Sequence, residues 1–88
     1  MKNELPIDEE LLFKLIGTRL KQLRIEKGFT NYEHFAYDNS ISRTQYGKYE
    51  TGSNIQILTL FKILKGLNIS FEEFFSQGFD ELFKKNDE

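Results

Sequence analysis

The chain contains no cysteine, so neither a disulfide framework nor a thiolate metal site is available to it. Its one histidine, His34, cannot form a histidine cluster, and no second ligand beside it suggests a metal. Tryptophan is absent and proline occurs once, as Pro6. No apolar run approaches the roughly 18 residues that would span a bilayer. The start, MKNELPIDEE, is acidic and lacks the apolar core of a secretory signal. Gly-rich phosphate loops, metal-ligand spacings and a nucleophile–histidine pair are all missing, which argues against an enzyme. The scattered Asp and Glu read as helix caps and solvated faces. The expected setting is reduced and cytoplasmic, with neither a membrane nor a metal partner and no cofactor.

What is present is a globular composition on 88 residues, the size of one domain. Hydrophobic residues make up 39% and aromatics 15%, and nine of the aromatics are phenylalanine. The formal charge of −2 hides an uneven distribution. Residues 14–65 carry nine Lys or Arg against Glu26, Glu33, Asp38 and Glu50, whereas both ends are acidic. A basic middle is the surface a polyanion would meet.

Helical spacing dominates. Acids at Asp8, Glu9 and Glu10 suit the positive end of a helix dipole. Leu12, Leu15, Ile16, Leu20 and Leu23 then recur at helical intervals, predicting a first helix from about residue 8 to Lys27, stopped by Gly28. Three pairs match a capping box: Thr30 with Glu33, Ser42 with Gln45, and Ser70 with Glu73. They predict a second helix over about Asn31–Asp38, burying Phe35 or Ala36, and a third over about Arg43–Glu50. The turn between these supplies Asn39 for a left-handed position. A fourth helix carries a stripe of Ile57, Leu60, Phe61, Leu64 and Leu67, and a fifth follows Ser70 with Phe71, Phe74 and Phe75. The fold expected is all-α, a compact bundle of five short helices forming one domain, with a core over about 12–76 and a C-terminal extension over 77–88.

On the third helix Tyr46 and Tyr49 fall on one side, with Ile41 ahead of them, and are expected to be buried. Arg43, Thr44, Gly47 and Lys48 occupy an arc of about 140° on another side. That arc is polar and cationic with a glycine in its middle, where a helix loses about 1 kcal/mol relative to alanine. The missing side chain suits either close approach to another large molecule or room for a neighbouring helix.

Three ordered stretches, IGTRLKQLRIEKGFT, ISRTQYGKYETG and LFKILKGLNISFEEFF, together resemble the lambda-repressor-like (Xre) helix-turn-helix regulators. The resemblance covers about residues 16–75. The spacing from Thr30 to Ser42 is one residue longer than the common pattern, and Asn39 replaces the usual turn glycine. The resemblance implies a sequence-specific regulator of transcription that binds double-stranded DNA, with helix three in the major groove. It assigns base reading to Arg43, Thr44 and Lys48, with Gly47 on the same side, and phosphate contact to Asn31. Arg19, Lys21, Thr51, Ser53 and Asn54 are weaker backbone candidates. Arg24 and Glu50 match a structural pair that bridges helix one to the end of helix three. Family members commonly bind as dimers, so a homodimer is expected. The apolar Phe79, Leu82 and Phe83 would build its interface or else pack back on Leu12 and Phe13. The alternative function is a protein-interaction module on the same fold that has lost DNA binding, with a protein as its partner.

Overall fold

The computed structural model describes residues 8–84, which leaves Pro6 outside. Among these residues it contains five α-helices and no strand: α1 Glu9–Glu26, α2 Tyr32–Asp38, α3 Arg43–Glu50, α4 Ile57–Leu67 and α5 Phe71–Phe74. A 3-10 turn, Asp80–Phe83, follows.

The first four helices end in one recurring way. A residue with positive φ donates its N–H three residues back, and its successor donates five residues back, which is the Schellman pattern. Gly28 (φ 94°) and Phe29 close α1 on Ile25 and Arg24. Gly52 (φ 112°) and Ser53 close α3 on Tyr49 and Lys48. Asn68 (φ 59°) and Ile69 close α4 on Lys65 and Leu64. At the end of α2 the left-handed residue is Ser40 (φ 60°), not Asn39 as the turn chemistry suggested. Asn39 is used otherwise: its Nδ2 donates to the Phe35 carbonyl at 2.8 Å, and its side chain lies against Gly66 of α4.

Two of the three expected capping boxes form their hydroxyl half, while among the described residues neither the Gln45 nor the Glu73 side chain bonds back to the cap. Ser42 Oγ accepts from Gln45 N at 3.2 Å, and Ser70 Oγ accepts from Glu73 N at 3.0 Å. The third shifts by one residue. Asn31, not Thr30, caps α2, its Oδ1 accepting from Glu33 N at 2.8 Å and His34 N at 3.0 Å. The Schellman turn of α1 reaches Phe29, and this leaves Thr30 as an exposed link.

The core joins Ile16, Leu20 and Leu23 of α1 to Phe35 and Ala36 of α2, Tyr46 and Tyr49 of α3, and Leu60, Ile63, Leu64 and Leu67 of α4. Phe35 and Ala36 are both fully buried, so the choice left open between them dissolves. The Phe35 ring lies 5.1 Å from that of Phe29 and 5.4 Å from that of Tyr46. The stripe of α4 is rotated from the expected one. Ile63 is buried, while Ile57 and Phe61 are exposed by 66% and 44%. At 100° per residue the buried four centre about 70° away from Ile57 and about 110° from Phe61. Phe61 stacks on Phe71 of α5 at 6.1 Å, with the Lys65 ammonium 5.6 Å from its ring.

The C-terminal extension is partly core. Phe79 is buried against Phe74 and Phe75, at 5.8 and 5.1 Å between ring centroids. Leu82 packs half-buried on the core, and the 3-10 turn lies beside the first turn of α1, where Asp8 and Leu11 line a shared cavity with Asp80, Glu81 and Lys84. Phe83 is 81% exposed.

Candidate nucleic-acid interface

Helix α3 has only eight residues and a glycine at its centre, so its placement depends on what holds its inner face. Three devices do so. Tyr46 and Tyr49 are buried. Arg24 of α1 forms a bidentate pair with Glu50, Nε to Oε2 at 2.6 Å and Nη2 to Oε1 at 3.2 Å, and donates from Nη1 to the Phe29 carbonyl. This is the expected structural pair, and both side chains are almost fully enclosed. The Glu50 hydrogen bonds raise the pKa of Arg24, so the guanidinium stays charged throughout.

The third device was not singled out in the sequence. Gly17 of α1 sits directly against the backbone of the last turn of α3. A Cβ there would lie 2.5 Å from the Tyr49 carbonyl oxygen and 2.6 Å from that of Glu50. Only the absence of a side chain lets α1 and α3 approach this closely. A glycine inside an otherwise regular amphipathic helix is the one sequence signal that marked it.

Beside the ion pair the Tyr46 hydroxyl is buried without a hydrogen bond of ordinary geometry. Burial pushes its pKa well up from the ordinary 10.0, and the neighbouring Glu50 carboxylate adds to the effect.

The outer face of α3 is open. Arg43, Thr44, Gln45 and Lys48 are all exposed, and among the described residues none of their side chains is hydrogen-bonded within the chain. Thr44 and Lys48 stand opposite the buried tyrosines, with Gln45 within about 100° of either. Gln45 lies at the edge of this face, about 40° from Tyr49; its amide N–H meets Ser42, and its side chain is exposed. Gly47 is turned toward α2. A Cβ on it would meet Cε1 and Oη of Tyr32 at 3.0 Å. Of the two readings of this glycine, room for a neighbouring helix describes its surroundings.

The backbone candidates separate by burial. Asn31 is exposed, with Oδ1 engaged in the cap. Lys21 and Asn54 are exposed, and Ser53 is half-buried. Thr51 is exposed and donates from Oγ1 to the Lys48 carbonyl at 3.0 Å. Lys14, which sequence reasoning passed over, lines a cavity with Thr51 and Gly52. Arg19 leaves the set. It is only 3% exposed, donating from Nε to the Phe74 carbonyl and from Nη2 to that of Glu73, both at 2.8 Å. It ties α1 to the end of α5 rather than presenting charge.

With Arg19 enclosed and Arg24 neutralised by Glu50, the middle of the chain still exposes Lys14, Lys21, Lys27, Arg43, Lys48, Lys62 and Lys65 against Glu26, Glu33 and Asp38. Exposed cations thus outnumber exposed acids over this span of chain; Arg43 and Lys48 lie on α3 itself, and Lys14 adjoins its end at Thr51 and Gly52.

The geometry of α2, its turn and α3 agrees with comparisons to known proteins. Residues 20–74 match the family model described as helix-turn-helix. The control protein C.MunI of Mycoplasma sp is 41% identical over 61 residues, covering 68% of this chain and 82% of that protein. With α2 and α3 packed together and α3 open to the outside, the chain belongs to the lambda-repressor-like helix-turn-helix family of DNA-binding transcriptional regulators.

Proposed function

We propose that α3 enters the major groove of double-stranded DNA and reads base edges with the exposed side chains of its outer arc, and that the chain acts as a homodimer. The observation that carries the reading is the two-sided character of α3. Its inner face is fixed by Gly17, by two buried tyrosines and by the Arg24–Glu50 pair, whereas Arg43, Thr44, Gln45 and Lys48 are exposed with unengaged side chains.

The chemistry suits base recognition. Arg43 or Lys48 would donate to guanine O6 and N7, Gln45 would pair bidentately with adenine, and the Thr44 methyl would meet that of thymine. Asn31 keeps its Nδ2 free for a phosphate because the cap uses only Oδ1. Lys21, Lys14, Thr51 and Asn54 would anchor the duplex through its phosphates, a task separate from reading.

The dimer needs an apolar surface, and Phe79 does not offer one because its own core uses it. Ile57, Leu58 and Phe61 of α4, continued by Phe71, form an exposed apolar face. A second copy of the chain would cover it, as in two-fold regulators that read half-sites about one helical turn apart.

Binding measured over a salt series tests the reading. Affinity is expected to fall steeply with salt as phosphate contacts release counterions. Arg43→Ala should cost on the order of 1–3 kcal/mol on the preferred site and relax one base position. An Arg43→Ala protein that binds that site as well as the wild type would remove α3 from the reading role. Weak salt dependence together with capture of a protein partner would favour the interaction module instead.

A further inference from the structure

Arg19 is a buried cation that the reading of α3 leaves unused. It is 3% exposed, and among the described residues no carboxylate is bonded to it. Arginine is almost never fully buried unless its charge is paired, so what it bonds to is informative. Its partners are chiefly main-chain carbonyls: Nε donates to Phe74 O and Nη2 to Glu73 O, both at 2.8 Å, and Nη1 donates to Gln22 Oε1 at 3.0 Å. The two carbonyls close the C-terminal end of α5, which is one turn of four residues. A helix so short does not hold itself. Ser70 caps its first end, and the guanidinium from α1 holds its last. Among the described residues no other side chain from a different helix hydrogen-bonds to α5. The chain then turns at Gly78, where a Cβ would lie 3.7 Å from Arg19 Cδ, so the extension passes over the buried side chain.

We propose that Arg19 is a positioning residue for dimerisation: its guanidinium fork sets α5 on α1 and so holds Phe71 in the apolar face that a second copy of the chain covers. The inference rests on the homodimer reading above. Phe71 and Phe74 stand one turn apart on α5, Phe74 fully buried and Phe71 38% exposed. A rotation of α5 about its axis therefore moves both. The Phe71 ring stacks on Phe61 of α4 at 6.1 Å with 19° between the planes, which makes one surface out of two helices. Two parallel N–H bonds from one guanidinium fix a direction as well as a distance, and the point charge of a lysine does not reproduce that. The face suits a copy of itself as its occupant. Lys65 stands over Phe61 and Glu72 follows Phe71, both exposed, so its edge carries both signs, as a self-complementary two-fold contact needs.

The test measures the dimer dissociation constant by sedimentation over a dilution series for the purified wild-type chain, Arg19→Lys and Ser70→Ala. Arg19→Lys keeps the charge and loses the fork. Its dissociation constant should rise about tenfold or more, the size of one hydrogen bond to a charged group. Affinity for a DNA site of two half-sites should fall by a similar factor. Leu58→Asp supplies a monomeric background, in which adding Arg19→Lys should leave affinity for a single half-site within about twofold, because the two changes then share no contact. Ser70→Ala loosens α5 from its other end without touching Arg19 and should weaken the dimer about threefold. It decides the matter where Arg19→Lys does not fold by circular dichroism. An unchanged dissociation constant in a folded Arg19→Lys chain, or in Ser70→Ala where that chain does not fold, would overturn the proposal and leave the homodimer standing. A loss of half-site affinity in the Leu58→Asp background as large as the loss on the full site would overturn it too, since the change then acts on the fold at large. A wild-type chain that stays monomeric throughout the series refutes the homodimer, and this inference falls with it.

Discussion

Replacing Gly17 by alanine sets two effects against each other, and the structure gives the winner. In an isolated helix the change would stabilise by about 1 kcal/mol, since glycine is that much poorer a helix former. Here the new methyl would lie 2.5, 2.6 and 2.8 Å from Tyr49 O, Glu50 O and Glu50 C. All three are backbone atoms at the last turn of α3, and no rotamer change moves them. Ordinary contact begins near 3.4 Å, so α1 and α3 must part by about 0.9 Å. The same seam holds the Arg24–Glu50 pair, whose 2.6 Å bond cannot stretch that far and remain a hydrogen bond. Overpacking in a rigid seam costs about 1–3 kcal/mol, and weakening an enclosed ion pair adds to this. The net expectation is a loss of about 2 kcal/mol or more. In a chain of this size that corresponds to a fall of roughly 10 °C in Tm. Urea unfolding should show a lower midpoint with an unchanged slope. Gly47→Ala is the internal comparison, because its methyl would meet only the far end of the partly exposed Tyr32 side chain. It should be neutral or stabilise by up to about 1 kcal/mol. A Gly17→Ala protein as stable as the wild type would refute the close-approach argument.

Further outcomes follow from the same structure. Ser40→Gly should stabilise by up to about 1 kcal/mol in chemical denaturation, since Ser40 holds φ at 60° where glycine fits without a Cβ penalty. Arg24→Ala should destabilise by about 3 kcal/mol, because it leaves the enclosed Glu50 carboxylate without its partner. Tyr46→Phe should be neutral or stabilising near pH 7, as it removes a buried hydroxyl that has no hydrogen bond. The raised pKa of Tyr46 also sets a pH dependence. The contribution of its neutral form is fully present below the ordinary value of 10.0, and it is lost as pH rises above that, because the unfolded chain ionises first. Wild-type stability measured from pH 9 to 11 should therefore decline more steeply than that of Tyr46→Phe. Leu58→Asp on the exposed face of α4 should leave the fold intact and lower the solution mass from dimer to monomer in light scattering, while Phe83→Ala should change neither.

The helices were legible in the sequence because their signals are local. Gly28 and Gly52 stop α1 and α3, and Ser42 and Ser70 cap α3 and α5, each acting within five residues of itself. The cap of α2 was misplaced by one residue because Thr30 and Asn31 are both competent caps, and only the length of the preceding turn decides between them. Placement across the chain was less visible. Gly17 and Gly66 are close-approach positions, against Glu50 and Asn39; a glycine inside a helix marks such a position, but no local pattern names the partner. Arg19 looked like any other cation of α1; its burial depends on the carbonyls of Glu73 and Phe74, more than fifty residues away. In α4 the run is apolar almost all round, so the buried face could not be fixed to better than one position, and Ile63 took the place given to Phe61. For the candidate interface, the arc of Arg43, Thr44 and Lys48 was readable from spacing alone. The engagement of Gly47 by Tyr32 was not, since it requires the α2–α3 packing.

The central claim is that the open face of α3 reads DNA, and the most direct test is selection from random duplex DNA with the purified chain at about physiological salt. The account predicts enrichment of one site made of two inverted half-sites about one helical turn apart, with enrichment lost in a chain lacking the side chains of Arg43, Thr44 and Lys48. Failure to enrich any sequence, even at lowered salt, would contradict it.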